Sequence, residues 1–191
     1  MTALHDDALA ALTAWRPGGE RQERLRQEYV EHLTAHADGL SRDDHPDHVT
    51  AGALVLSANR TAVLLTLHAK ARRWFHLGGH CERHDLTLAG AALREATEES
   101  GIDGLRLDPQ PLDLDAHVVD FCGDRERVRH LDVRFLAVAP PGATPLVSEE
   151  SLDVRWWPVG QLPTEEPEMR ELVDLALTRA GNAQASSSMA I

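Results

Sequence analysis

The stretch GGHCERHDLTLAGAALREATEESGI, residues 78–102, constrains the fold of this chain more than any other segment. At 3.6 residues per turn, residues 86–100 predict a helix with one apolar stripe, made of Leu86, Ala89, Leu93 and Ala96. Glu95, Glu98 and Glu99 fall nearly opposite that stripe. The segment therefore predicts a helix that buries one side and collects three carboxylates on the other.

The flanks of this helix carry end signals. Asp85 belongs to the residue types preferred at a helix N-cap, and Gly101 suits the left-handed residue that follows a helix. Ala91 and Ala92 are small, so we expect them to leave room beside the glutamates. The helix should begin after Asp85 and end before Gly101.

Three glutamates this close together repel one another. Like charges one turn apart destabilise a helix by a few tenths of a kcal/mol per pair, and carboxylates near its C-terminus also oppose the helix dipole. A hard divalent cation would remove both penalties, and Arg94, four residues before Glu98, can brace that side chain. The alternative is an acidic helix face exposed to solvent.

The same stretch resembles the Nudix box, whose usual pattern is glycine, five residues, glutamate, seven residues, then Arg-Glu-apolar-x-Glu-Glu-x-Gly-apolar. Gly79 is the first glycine, and residues 94–102 fill the second half without a gap. Asp85 stands where glutamate is usual, and eight residues instead of seven separate it from Arg94. The resemblance extends more weakly over residues 49 to 180.

The resemblance implies a hydrolase, dependent on Mg²⁺ or Mn²⁺, that cleaves a nucleoside diphosphate linked to another group. Glu95, Glu98 and Glu99 would hold the metal, with Glu95 as ligand or base, and Arg94 would complete the catalytic set as a brace. A late-loop glutamate is also expected. The substrate-binding candidates are Gly79, His80, Arg134, Glu149 and Glu150. Glu149 and Glu150 could instead be solvated loop residues, and Arg134 a member of a surface ion pair.

Patterns elsewhere predict an α/β fold, of the α/β/α sandwich type with a mixed central sheet. The predicted strands lie at 51–57, 61–68, 112–121, 128–139 and 154–159, and a helix lies at 165–180. Residues 1–48 read as a helical extension that packs on the domain, or that acts as a substrate lid or dimer contact. Residues 49–180 form the main domain, and residues 181–191 a disordered tail.

Composition limits the partners. The net charge of −12 opposes binding to a nucleic-acid polymer but allows a small phosphorylated, nucleotide-derived substrate bridged by a cation. No apolar run is long enough to span a bilayer, and the first residues lack a signal-peptide pattern. We therefore expect a cytoplasmic protein without a membrane partner. A homodimer is compatible with the sequence.

Other readings carry less weight. A Nudix-fold module that binds a nucleotide without hydrolysing it is the main alternative, since Asp85 and the longer loop depart from the usual box. An isomerase on this fold would need a catalytic cysteine, and Cys122 has little to support it.

His76, His80 and His84 recur every fourth residue, but two glycines interrupt any helix there, so zinc is not expected. His45 and His48 are expected to be exposed. Either Trp156 or Trp157 could stack on a base, because neighbours in a strand point opposite ways.

Overall fold

The structure, a computed structural model, describes residues 2–122, 124–147 and 151–188. Within these ranges it contains four helices and eight strands, which confirms the predicted mixed α/β class. The helices are α1 (Ala3–Ala14), α2 (Glu20–Ala35), α3 (Leu88–Ser100) and α4 (Pro167–Ser188). The strands are β1 (His48–Leu56), β2 (Ala62–His68), β3 (Trp74–Phe75), β4 (Leu77–His80), β5 (Arg106–Leu107), β6 (Asp113–Cys122), β7 (Arg125–Val138) and β8 (Ser151–Pro158).

The strands form one curled mixed sheet around β1. Along one edge, β1 pairs in parallel with β7 over its whole length, from His48 opposite His130 to Leu56 opposite Val138. Along its other edge, β4 pairs antiparallel with residues 50–53, and β2 pairs antiparallel with residues 55–56. The sheet therefore splits beside β1, and the split brings the glycine-containing strand β4 next to the centre of the domain.

Helices cover both faces of the sheet, which confirms the predicted sandwich. On one face, α1, α2 and α3 pack with alternate residues of β1 and β7; these strand residues include Val49, Ala51, Leu131, Val133 and Phe135. On the other face, α4 packs against the apolar ends of the strands; these residues include Leu54, Leu56, Val63, Leu65 and Leu136. Every residue of β1 is buried, as expected for a central strand covered on both sides.

The N-terminal extension packs on the domain. Leu12 and Tyr29 are fully buried in the same core as the sheet, and the Tyr29 hydroxyl donates to the Asp115 carbonyl at 2.6 Å. Asp7 of α1 accepts a hydrogen bond from the Leu88 amide, the first residue of α3, at 2.8 Å. The extension therefore helps to hold the helix that carries the glutamates.

The start of α3 differs from the sequence prediction. Thr87 is the N-cap and accepts from the Gly90 amide, whereas Leu86 is 70% exposed and lies outside the helix. The buried face also differs from the predicted stripe. It consists of Leu88, Ala91, Ala92, Ala96 and Ser100. The small alanines face the sheet and allow the helix to approach it closely, and Gly101 ends the helix in the left-handed conformation as predicted.

The last helix is longer than predicted. It continues through Gly181 to Ser188, across most of the segment that the sequence suggested as a tail. One glycine costs a helix interior only about 1 kcal/mol, so it does not have to end the helix. No helix in the described ranges is both long and apolar enough to cross a membrane.

Candidate active site

Two of the three glutamates lie between α3 and β4. Glu95 is 16% exposed, and its carboxylate lies beside the backbone of Gly79. Glu99 accepts a hydrogen bond from the Gly78 amide at 2.8 Å. Glu98 is 58% exposed and faces outward at the end of the same group. The helix therefore presents a row of carboxylates that begins against the sheet and ends at the solvent.

The two glycines permit this close approach. A Cβ at residue 79 would lie 2.8 Å from Oε2 of Glu95, and a Cβ at residue 78 would lie 2.5 Å from the Cα of Gly52. No side chain fits at either distance without movement of the backbone or of the carboxylate. Gly79 is therefore a steric requirement for placing Glu95 against β4, and Gly78 is one for the close pairing of β4 with β1 at Gly52.

Arg94 braces the glutamates, as its spacing predicts. Its Nη1 donates to Glu98 at 2.9 Å and to Glu95 at 3.1 Å, and its Nη2 donates to the His80 carbonyl at 3.0 Å. Since one nitrogen contacts both glutamates, their nearest carboxylate oxygens are at most about 6 Å apart, the combined length of the two contacts. The hydrogen bond to Asp85 raises the pKa of Arg94, so the guanidinium stays charged.

Asp85 is a partner of Arg94. Its side chain is 5% exposed and accepts from Nε of Arg94 at 3.1 Å, from Nη2 at 3.0 Å and from the Glu82 amide at 2.7 Å. Burial alone would raise the pKa of Asp85, but the bonds from Arg94 and Glu82 outweigh it and lower the pKa. The predicted capping role is wrong, because Asp85 lies two residues before the cap at Thr87.

The donor set fits a hard divalent cation. Glu95, Glu98 and Glu99 offer carboxylate oxygens only, which are the ligands that Mg²⁺ and Mn²⁺ prefer. Gly79 allows the Glu95 carboxylate to lie directly against the backbone of β4. The outer carboxylate remains accessible to water and to a substrate.

Arg134 does not join this group. Gly79 pairs with Ala51 on the face that α3 covers, whereas Arg134 pairs with Gly52 and projects from the opposite face. Its guanidinium is 11% exposed and bonds three carboxylates, namely Asp113 at 3.3 Å, Asp115 at 3.0 Å and Asp132 at 3.5 Å. Arg134 therefore forms ion pairs, as the alternative prediction states, but these ion pairs are buried and not on the surface. The other late candidates, Glu149 and Glu150, lie outside the described residues.

A cleft of about 380 Å³, not foreseen from the sequence, lies at the β1–β2 turn. It is lined by the β1–β2 turn, by residues 140–143 and by Trp156. Trp156 donates from Nε1 to the Ala143 carbonyl at 3.1 Å and packs with the core cluster that contains Ala96 of α3. Trp157 points the other way, against Trp74. The two tryptophans therefore separate as predicted, and Trp156 lies on the face of α3.

A second group of side chains, also unforeseen from sequence, lies across β4 from the glutamates. His80 directly follows Gly79 but projects from the opposite face, where it meets His48, Cys122 and His130. His48 is 1% exposed, so the expectation that it is solvent-exposed was wrong. Burial lowers the pKa of His80 to about 3 and that of His130 to about 4. No spacing rule could reveal this group, because its members come from four strands.

Comparison with known families gives a match over most of the chain. The family model described as NUDIX domain matches residues 46–176. This range contains β1 to β8, the glutamates of α3 and the glycine pair. A search of curated proteins found no match.

Several solved structures share the fold. An Ap4A hydrolase from C. elegans superposes with a TM-score of 0.56 at 17% identity and covers 70% of this chain and 98% of its own. The NUDIX domain of Shewanella oneidensis NrtR, crystallised with ADP ribose, gives 0.54 at 18% identity, with coverage of 79% and 97%. The E. coli dihydroneopterin triphosphate pyrophosphohydrolase gives 0.50 at 19% identity, with coverage of 68% and 93%. At these identities the likeness concerns the fold alone.

Proposed function

The chain belongs to the NUDIX family, and from that premise we propose that it hydrolyses a diphosphate bond in a nucleoside diphosphate linked to another group. The observation that carries this proposal is the row of Glu95, Glu98 and Glu99 on α3, packed against the glycines of β4 and braced by Arg94. The non-catalytic alternative would not require all three carboxylates to be kept together.

The reaction explains why the carboxylates are gathered. A diphosphate is an anion and this chain carries a net charge of −12, so the two repel unless a cation lies between them. Mg²⁺ or Mn²⁺ held by Glu95, Glu98 and Glu99 would neutralise the phosphates, orient them and lower the pKa of a bound water. The protein contributes a fixed set of oxygens for this cation, with Glu98 at the exposed end.

The neighbouring residues have supporting roles in this proposal. Arg94 sets the spacing of Glu95 and Glu98, and Asp85 holds the other edge of the guanidinium. Gly79 keeps the Glu95 carboxylate in place against the backbone of β4. The proton of the attacking water passes to Glu95 or to a carboxylate of the late loop, Glu149 or Glu150.

The cleft and the relatives support a proposal for the substrate class. Two of the solved structures are named as hydrolases of Ap4A and of dihydroneopterin triphosphate, and the third is a NUDIX domain in complex with ADP ribose. All three compounds join adjacent phosphates to a heterocyclic base. The cleft at Trp156 lies on the same face as α3 and offers an indole edge to such a base. We therefore place the base at Trp156 and the diphosphate at the glutamates. His80 and Arg134, which project from the other face, then act on the substrate only indirectly.

The test is turnover of these three compounds with Mg²⁺, with Mn²⁺ and without metal, comparing wild type with Glu98→Gln. We expect wild type to cleave at least one compound in a metal-dependent reaction and Glu98→Gln to be slower on the order of 100-fold. Removal of other groups that stabilise charge in a transition state lowers rates by a similar factor. If nothing turns over while one compound raises the melting temperature, the chain is a nucleotide-binding module and the proposal fails. Glu149→Gln and Glu150→Gln, assayed together with Glu95→Gln over a range of pH, identify the base.

A further inference from the structure

We propose that His48, His80, Cys122 and His130 form a second metal site, selective for Zn²⁺ and distinct from the carboxylates of α3. The four side chains come from β1, β4, β6 and β7 and meet on the face of the sheet opposite α3. One ligand atom from each, a ring nitrogen or the sulfur, lies within 4.8 Å of all the others. This inference does not depend on the proposed hydrolysis.

The spacing of the ligand atoms is close to that of a tetrahedral site. Sγ of Cys122 is 3.3 Å from Nε2 of His80 and 3.9 Å from Nε2 of His48. The ring of His130 lies 4.9 Å from that of His48 and 5.2 Å from that of His80, measured between centroids. Tetrahedral zinc with ordinary bond lengths separates its ligand atoms by roughly 3.3–3.6 Å. Small movements of the side chains would therefore complete the coordination.

One contact and one unpaired nitrogen leave ring nitrogens available to a metal. Nδ1 of His48 lies 3.1 Å from the Pro46 carbonyl, so this nitrogen carries the proton and Nε2 keeps its lone pair toward Cys122. Nε2 of His130 is buried and has no hydrogen-bond partner in the described part of the chain. A buried polar atom without a partner is costly, and a metal bond would remove that cost. Arg42 lies 3.5 Å from Nδ1 of His80, on the side away from the sulfur. Because a guanidinium only donates, zinc at Nε2 would put the ring proton on Nδ1 and would require this contact to open.

The ligand types select the metal. Three imidazoles and one thiolate favour Zn²⁺ over Mg²⁺ or Mn²⁺, which prefer oxygen ligands such as those on α3. Four protein ligands leave no open position, which is typical of a structural site and not of a catalytic one. Zinc bound here would join the end of the β6–β7 hairpin to β1 and to β4, one residue from Gly79.

Two other groups near this site could also take a metal. His36, Asp38 and His45 lie together at the connector after α2, and His117 and Asp132 share His130 with the proposed site. Neither has a thiolate. In the second group, His117 and Asp132 already contact Asp115 and Arg134 respectively. The proposed site is the one with four ligands and a sulfur.

The experiment measures zinc in the full chain purified without a histidine tag. Wild type should contain one Zn²⁺ per chain and should hold it against a competing chromophoric chelator. Cys122→Ser and His130→Asn should each weaken binding by more than about 100-fold, since loss of even an outer-shell partner costs about 10- to 100-fold. Cys81→Ala and His84→Asn, which alter a thiol and an imidazole outside the site, should bind as wild type does.

Cobalt substitution gives a second readout that a misfolded variant cannot imitate. Co²⁺ in wild type should show a thiolate-to-cobalt charge-transfer band and the visible bands of a tetrahedral ion, and Cys122→Ser should lose the charge-transfer band. Zinc binding that survives in Cys122→Ser but disappears in His36→Asn would overturn the proposal in favour of the connector group. Wild type that binds zinc no more tightly than Cys122→Ser would also overturn it.

Discussion

Gly79 and Glu95 are in such close contact that the glycine has no room for a side chain. A Cβ at residue 79 would lie 2.8 Å from Oε2 and 2.9 Å from Cδ of Glu95. The strand β4 and the helix α3 thus contact each other through the Glu95 carboxylate. This fit determines the position of Glu95, and through Arg94 it also determines that of Glu98.

Gly79→Ala should therefore reduce catalysis more than stability. The added methyl group displaces the Glu95 carboxylate, and a displacement of about 1 Å in an active site can cost on the order of 100-fold in rate. Gly160→Ala is the matched control, because a Cβ there meets nothing within 4 Å. The measurement is kcat/KM together with the melting temperature. An alanine variant as active as wild type would show that the position of Glu95 does not matter.

Asp85→Asn should destabilise the fold without changing the metal requirement. The variant removes the buried charge opposite Arg94. Breaking this pair should lower the free energy of unfolding, measured with urea, by about 2 kcal/mol. The loss is smaller than for a pair with no other partners, because two glutamates still contact the arginine. The Mg²⁺ concentration for half-maximal activity should stay the same. Asp103→Asn, at an exposed position, is the control. Unchanged stability with a higher Mg²⁺ requirement would instead make Asp85 a metal ligand.

Asp7→Asn should loosen the start of α3. The carboxylate of Asp7 accepts from the Leu88 amide, and the loss of a charged partner at a helix N-terminus typically costs about 1 kcal/mol. Hydrogen exchange at residues 88–91 should become faster, while exchange in β7 should not change. Asp6→Asn, a neighbour that is 62% exposed, provides the comparison. Equal exchange in both variants would mean that the extension does not support this helix.

Much of the fold follows from local pattern. In the segment of β7, Leu131, Val133 and Phe135 alternate with His130, Asp132 and Arg134, a pattern that by itself indicates one apolar face. The structure buries these three apolar side chains. The predicted start of α3 lies two residues before the observed one, because Leu86 extends the apolar period, although Thr87 is itself a residue type preferred at an N-cap. The predicted stripe was displaced for a related reason. A helix that packs closely on a sheet buries small residues such as alanine. A search for the most hydrophobic stripe instead selects leucine, and so it predicts the wrong buried face.

The site could be predicted only where its parts are adjacent in sequence. Glu95, Glu98 and Glu99 lie on one helix. The spacing of residues along that helix predicts that Arg94 contacts Glu98. The burial of Arg134 depends on Asp113 and Asp115 of another strand, whose register with β7 no local pattern specifies. The same holds for His48, whose burial depends on pairing with His130 across a parallel ladder.

Acid should destabilise the protein partly through His76. Burial, with a smaller contribution from Arg134, lowers the pKa of His76 to about 4. An unfolded histidine takes up its proton near pH 6.5, so between about pH 6.5 and 4 the unfolded chain binds more protons and the free energy of unfolding falls as the pH falls. Between pH 6.5 and 4, His76→Gln should lose about 2–3 kcal/mol less free energy of unfolding than wild type.

The check for His76 is urea unfolding at several pH values. Above about pH 6.5 the difference between wild type and His76→Gln should not change with pH. His68→Gln, at an exposed position, should follow wild type throughout. A pH dependence in His76→Gln identical to that of wild type would show that this ring titrates alike in the folded and unfolded chains.

The most direct test of the central claim is kcat/KM against Mg²⁺ concentration for wild type, Glu98→Gln and Glu82→Gln. Glu98 and Glu82 are similarly exposed, at 58% and 54%, and both face Nη1 of Arg94, but only Glu98 belongs to the carboxylate row on α3. We predict that Glu98→Gln lowers kcat/KM on the order of 100-fold and requires more Mg²⁺, while Glu82→Gln follows the wild-type curve. Equal curves for all three proteins would contradict the claim that the glutamates of α3 hold the catalytic cation.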